Sequence, residues 1–392
     1  MTYPFQSFDK ADAAPLAEEK AQFADSVKRF IDTEIRPNHQ TWDAAGQTPK
    51  EVWQKAGKAG LLCPDVPEEY GGLGLKDFDF NLMLAMAIAH SNLPGADICT
   101  HADMVVPYLS YFGNPDQKSQ WLPKMVAGDF VGCIALTEPG AGSDILSLKS
   151  RAWKTDGGWV LNGEKTYISG ASVADFFLVA ARSRKDIPMA LSLYLVERDR
   201  PGVTVSDPLP KIGMHAQDIA SIYFDDVELP PENLIGRENA CLGYVMEVMR
   251  RERVIIGAQS LAAVTGMLED TVDYCKARRI RDQRILDFQN TRFVLARLQA
   301  QRDVAQAYLD QIKHGVIPRR ITDYQSALIK YMASELQADA ANKCFQLHGG
   351  AGYMKGTAMA DRFLAARAST ILGGASEVML EILGTGLDRH AD

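Results

Sequence analysis

No CxxC spacing and no close pair occurs among the six cysteines, Cys63, Cys99, Cys133, Cys241, Cys275 and Cys344. That argues against a disulfide framework or a cysteine zinc site and favours buried thiols in a reducing compartment. The seven histidines show no HxxxH or HExxH spacing, so no metal is expected. No run approaches the ~18 consecutive apolar residues of a spanning helix, so no membrane insertion is expected. The first twenty residues, MTYPFQSFDKADAAPLAEEK, are polar without an apolar stretch, and the expectation is a cytoplasmic protein. A dominant charge is missing too: 42 Lys and Arg stand against 50 Asp and Glu, a formal charge of −8. Such a surface argues against general nucleic-acid binding, although a local Arg cluster can still hold an anion.

What the chain does have is enough apolar material to fold throughout. Its 392 residues are 46% hydrophobic and 23% charged, which fits about two or three globular domains. Residues 1–130 read helical. Leu16, Phe23, Val27, Phe30, Ile31 and Ile35 keep a period near 3.6 until Pro37 interrupts it. Residues 131–237 change period. Trp159 to Leu161, Asn162-Gly163 and Glu164 to Ser169 predict a hairpin, and Phe176–Ala181, Leu191–Val196, Val203–Val205 and Ser221–Val227 predict further strands. A small antiparallel barrel or sandwich is expected. Residues 238–392 carry four periodic stretches, at about 240–278, 287–314, 321–347 and 359–384, with short links that suggest a four-helix bundle. The fold class is mainly α with a β domain in the middle.

Two strings carry chemistry. Cys133 to Asp144, CIALTEPGAGSD, mixes glycines with hydroxyls, so backbone N–H groups can approach a ligand closely. By itself this is equally a turn between two domains. Glu164 to Gly170, EKTYISG, sets an aromatic ring two residues before a hydroxyl, on one face of a strand. One side chain can cover a planar ring and the other bond its edge, but alone the string is more often a half-buried strand.

Taken together and in this order, the two strings resemble the acyl-CoA dehydrogenase family, and the resemblance extends over essentially the whole chain. Further matches are Glu252-Arg253, Arg278, Gln289, Gln346-Leu347-His348-Gly349-Gly350 and Gly373-Gly374-Ala375-Ser376-Glu377. The resemblance implies an FAD cofactor between the β domain and the bundle, in a homotetramer or homodimer whose neighbouring subunit completes the site. Ile134, Leu136, Thr137, Gly142 and Ser143 would lie along the flavin, with Ser143 also facing the substrate's pantetheine arm. Tyr167 would cover the ring, beside Ile168, and Ser169 would bond near N5. Arg278 and Gln346 to Gly350 would reach the FAD of an adjacent protomer, Gln289 would also bind the cofactor, and Ala375, Ser376 and Glu377 would touch it from the substrate side. The implied reaction turns an acyl-CoA or acyl-carrier-protein thioester into its trans-2-enoyl form and passes electrons to an acceptor such as an electron-transfer flavoprotein.

Many members of that family carry the catalytic base just before a late glycine; this chain has Gly373 there. Long-chain and isovaleryl-type members place the carboxylate on the first bundle helix, in a Glu-Arg pair similar to Glu252-Arg253. The residues around Glu252 agree. Val248, Met249, Ile255 and Ile256 are its helical neighbours, an apolar stripe on which a carboxylate is desolvated and becomes a better base. Glu252 is thus the expected base. Arg253, Gly373 and Gly374 are expected at the substrate, with the Gly373 N–H polarising the thioester oxygen. Arg250 and Arg251, within reach of Glu247, read as a solvated face. The pattern also departs from the family: Arg281-Asp282 replaces a usual Phe-Gly, and Tyr167 replaces a usual Trp. These departures suggest a specialised member and keep open an oxygen-using flavin enzyme or a non-catalytic, ligand-binding member.

Overall fold

The computed structural model describes residues 14–96, 98–184, 187, 189–385 and 387. The polar stretch up to residue 13 and the Leu16 side chain lie outside the described residues. The N-terminal part is helical: α1 (Ala14–Phe30), α2 (His39–Ala45), α3 (Glu51–Lys58), α4 (Asp79–His90), α5 (Val106–Phe112) and α6 (Pro115–Val126). The stripe that begins in α1 buries Val27 and Phe30 and continues through a wider, π-helical turn that buries Ile31 and Ile35. Pro37 sits in the break before α2. A reciprocal pair of bonds between Asn114 and Gln117 caps α6, with Pro115 opening the helix.

Among the described residues the middle part has eight strands: β1 (Gly132–Ala135), β2 (Arg151–Thr155), β3 (Gly158–Ser169), β4 (Phe176–Arg182), β5 (Leu191–Glu197), β6 (Val203–Val205), β7 (Ile219–Leu229) and β8 (Leu234–Ile235). They form one sheet in the order β6-β7-β3-β2-β4-β5-β8. Most ladders are antiparallel, but β1 runs parallel to β4, and β2 meets β4 in parallel at Arg151 and Arg182. Alternation assigns the two faces of β4. Phe177 and Val179 enter the sheet's own core, while Phe176, Leu178 and Ala180 join the core shared with the helices.

Asn162-Gly163 does not make the expected hairpin. β3 runs straight through it, and the turn is Asp156-Gly157, between Thr155 and Gly158. Gly163 is required for a different reason. A Cβ there would lie 2.3 Å from the Ser150 hydroxyl, and the residue has φ +149°. Asn162 meanwhile bonds across to Asp226 at a bulge in β7.

The C-terminal part comprises α7 (Cys241–Ala277), a small hairpin of β9 (Arg279–Ile280) and β10 (Gln283–Arg284), α8 (Gln289–Ile312), α9 (Asp323–His348), α10 (Ala358–Ser369) and α11 (Ser376–Gly384). The most extensive packing joins α7 to α9. These two run parallel, because Arg250 pairs with Asp323 near their starts and Tyr274 stacks on His348 near their ends. At the crossing, Gly257 lets Ile329 approach within what would be 3.0 Å of a Cβ. The stretch expected as one helix over 359–384 is two. It breaks between Ser369 and Ser376, where Gly373 (φ +62°) and Gly374 (φ +102°) adopt a backbone that L side chains rarely take. Among the described residues no helix is long and apolar enough to cross a membrane.

Candidate active site

The glycine-rich turn after β1 is fixed from below. The Glu138 carboxylate accepts bonds from the N–H groups of Lys149 at 2.5 Å and Ser150 at 2.9 Å. It also pairs with the wholly buried Lys165 ammonium at 2.8 Å, and Lys165 donates to the Leu136 carbonyl at 3.1 Å. Burial disfavours the charge on Glu138, but Lys165 and these N–H donors outweigh it and hold the carboxyl below its ordinary range. Thr166 N–H donates to the Thr137 carbonyl at 2.9 Å, so the turn and β3 are tied together. Above this base the turn is open. Gly142 and Ser143 are exposed, Ile134, Leu136 and Thr137 are half-buried, and a Cβ at Gly140 or Gly142 would meet nothing within 4 Å.

Tyr167 lies on an irregular stretch of β3 where three residues face two of β7. Its φ of +57°, strained for a residue with a side chain, turns the ring outward to 68% exposure. Ile168 instead points into the sheet's core, so only its backbone is available to a ligand. Ser169 is half-buried and lines a cleft with Gly170, Thr100, His101 and Gly132. His101 joins the domains through Met125 O and Gly132 N, each at 3.0 Å, and burial lowers its pKa to about 4, so it is neutral. An outward aromatic ring, hydroxyls on Thr137, Ser143 and Ser169, and an open glycine cradle fit a flat, polar-edged cofactor.

Glu252 stands half-buried on α7, close to the gap in the last helices. A Cβ placed on Gly373 would lie 3.4 Å from Glu252 Oε1 and 2.4 Å from Ile256 Cδ1. The structure therefore brings the two positions together from separate elements. Tyr108 of α5 lies near Glu252 from the helical domain; burial first and the Glu252 charge second keep its phenol protonated. Arg253 is 2% exposed, with Nη1 4.0 Å from Asp323, a carboxylate that Arg250 grips with bonds of 2.8 and 3.0 Å. Gly373, Gly374 and Ala375 are half-buried; Glu377 is exposed; Ser376 is buried and donates to Glu335 of α9 at 2.5 Å.

Arg251 departs from expectation. Of the two, Arg250 joins Glu247, at 3.2 Å, and Glu247 also pairs with Arg319 at 3.0 Å. Arg251 is buried, donates to Asp65 at 2.6 and 3.1 Å, to Asp103 at 2.8 Å and to Tyr111 at 3.2 Å, and covers the Phe78 ring. Burial pushes Asp103 up to about 6 against the pull of Arg251, while Asp65 is held below its ordinary value.

Arg278, Gln289 and Gln346 to Gly350 gather at the other end of α7. Tyr274 O–H donates to the His348 carbonyl at 3.1 Å, and Ile285 N–H donates to the Arg278 carbonyl at 2.9 Å. At 1.5 Å per residue this end lies about 40 Å along the helix from Glu252. Arg281 and Asp282 form the hairpin tip between β9 and β10, with Arg281 at φ +54°.

An FAD-type dehydrogenase built on a β domain and a helical bundle is the class that this fold and site define. The chain matches three family models in order: acyl-CoA dehydrogenase N-terminal domain at residues 17–129, middle domain at 133–227 and C-terminal domain at 241–387. Mitochondrial long-chain specific acyl-CoA dehydrogenase of Mus musculus is 36% identical over 369 residues, covering 92% of this chain and 84% of that protein. The crystal structure of acyl-CoA dehydrogenase from Geobacillus kaustophilus superposes with a TM-score of 0.91 at 34% identity, covering 95% and 98% of the two chains. That of acyl-CoA dehydrogenase complexed with FAD from Bacillus anthracis gives 0.89 at 26% identity, covering 98% of this chain and 68% of the other. The chain belongs to the acyl-CoA dehydrogenase family. It is an FAD-dependent oxidoreductase acting on CH–CH bonds.

Proposed function

We propose that this chain desaturates an acyl-CoA thioester to its trans-2-enoyl form, with Glu252 as the base. The observation that carries the reading is the convergence of Glu252 Oε1 on the space beside Gly373. A carboxylate from α7 reaches the place that a side chain from residue 373 would otherwise occupy. Bound FAD supplies the acceptor for the two electrons and the β-hydrogen. The protein's part is to hold, orient and deprotonate. Glu252 removes the proton from the carbon next to the thioester carbonyl. The Gly373 N–H polarises that carbonyl's oxygen, which favours charge building there as the proton leaves. Thr137, Ser143, Ser169 and Tyr167 would hold the cofactor, and the exposed Tyr167 ring would help keep water from the reacting carbons.

Arg278, Gln289 and Gln346 to Gly350 are too far from Glu252 to serve the same cofactor by any short reach. We assign them to the FAD of a neighbouring subunit, in a homodimer or homotetramer. The divisions 1–130, 131–237 and 238–392 serve as the helical, β and bundle units. The electron acceptor is a separate protein of the electron-transfer flavoprotein kind, and the setting is cytoplasmic.

Anaerobic addition of an acyl-CoA panel to the purified holoprotein tests this reading. The flavin absorption band should bleach with at least one member. A band untouched by every CoA ester and bleached by an acyl-carrier-protein thioester would move the assignment to carrier-bound substrates. Rapid re-oxidation by air would favour an oxidase, and a protein unable to take up FAD would sink the catalytic reading.

Gly373→Glu should shift the panel toward straight chains. Its side chain would start 2.4 Å from the flexible Ile256 terminus, which must move, and would point into the space beside Glu252. Turnover of branched esters is expected to drop at least about tenfold relative to straight ones, the scale of one misfitted methylene group or more. An unchanged preference would show that residue 373 does not border the acyl chain.

A further inference from the structure

Lys330 of α9 is wholly buried, and its Nζ donates to the carbonyl oxygen of Gly374 at 2.6 Å. It forms no ion pair among the described residues. A buried ammonium facing a neutral carbonyl is a costly choice where an apolar residue would pack without penalty. What it holds is a segment with little stiffness of its own. Gly373 and Gly374 lack side chains and sit at φ +62° and +102°, so nothing intrinsic fixes their peptide planes. One end of this strap is anchored by the Ser376 bond to Glu335 and by Ser376 N–H to the Thr370 carbonyl at 3.0 Å. Lys330 supplies the anchor in the middle.

We propose that Lys330 is a positioning residue that latches the Gly373-Gly374 strap to α9 and so keeps the Gly373 N–H aimed at the thioester oxygen beside Glu252. This rests on the reading of that strap as the substrate's oxygen site. It also makes the latch sensitive to alkali. Burial lowers the pKa of Lys330 to about 8; Glu335 on its own helix opposes this, Arg253 on α7 adds to it, and Glu252 on α7 and Glu377 on α11 oppose it. Above that pH the bond to Gly374 loses its charge assistance and the strap loosens.

The test is the anaerobic flavin-reduction rate constant of the holoprotein, measured against pH with the acyl-CoA that bleaches the wild type. The wild-type rate constant should fall above pH about 8. Lys330→Met should lower it roughly 10- to 100-fold, the scale of one charge-assisted hydrogen bond, with a smaller change in substrate affinity and no remaining alkaline fall. Lys330→Arg, which stays charged, should recover part of the rate and also lack the alkaline limb. Should Lys330→Met fail to fold, Glu335→Gln provides an independent check. Losing that negative charge should move the wild-type limb to lower pH. A folded, flavin-loaded Lys330→Met with the wild-type rate and pH profile would overturn the latch, as would a limb that Glu335→Gln leaves in place. A wild type that no thioester reduces would overturn the reading of the site itself, and the latch with it.

Discussion

Glu252→Gln should purify with its full complement of FAD and yet be reduced by substrate about 10²- to 10⁴-fold more slowly than the wild type, the usual share of a positioned base. The substitution keeps the side chain's volume and one acceptor oxygen, so packing against Ile256 and Gly373 survives while the proton acceptor is lost. Anaerobic stopped-flow at the flavin band reads the rate, and the absorbance ratio of flavin to protein reads occupancy. Reduction at the wild-type rate would place the base elsewhere. Adding Gly373→Glu to the Glu252→Gln protein should return part of the rate for straight-chain substrates, because a side chain from 373 enters the same space.

The second large effect concerns stability. Arg251→Met should cost about 3–5 kcal/mol, the range for removing one partner of a buried charge cluster. The guanidinium is 2% exposed and answers both Asp65 and Asp103; without it, two neighbouring buried carboxylates keep the Asn81 amide as a shared donor but lose their counter-charge. Denaturant unfolding measures the loss, and a change below about 1 kcal/mol would show that the cluster is dispensable. The pH dependence has two opposing parts. Asp65, held below its ordinary pKa, contributes stability that is present above the ordinary carboxylate value of 3.8 and is lost as pH falls through its lowered one. Asp103, raised to about 6, does the reverse. It binds its proton more tightly in the folded protein, so its contribution is fullest below 3.8 and declines as pH rises toward 6.

Why the apolar surroundings of Glu252 were legible in the sequence and the carboxylate surroundings of Arg251 were not is a matter of distance along the chain. Glu252's surroundings are set by residues three and four positions away, and helical geometry alone exposes the apolar stripe. Arg251's partners lie 186 and 148 residues off, whereas its visible neighbour Glu247 pairs instead with Arg250. The pair of Glu138 and Lys165, 27 residues apart, escaped notice for the same reason. Asn162-Gly163 misled differently. Its local preference for a tight turn is real, but contact with Ser150 and the bulge at Asp226 gave that glycine other work. Helical and strand segments were readable because burial imposes periods of 3.6 and 2. The break at Gly373-Gly374 was not, since a glycine pair inside an apolar periodicity leaves the helical pattern intact on paper.

The length of α7 has a further consequence. Thirty-seven residues of one helix run from Cys241 to Ala277, with Glu252 in its first half and Arg278 just past its end. On the assignment of Arg278 and the residues gathered around it to a neighbour's FAD, each subunit spends one end of its longest rod on a cofactor whose chemistry it does not perform. Flavin retention then becomes a property of association equilibrium. Subunits and dinucleotide hold one another by mutual linkage, and the free energy that keeps the prosthetic group in place is also part of what keeps the oligomer together.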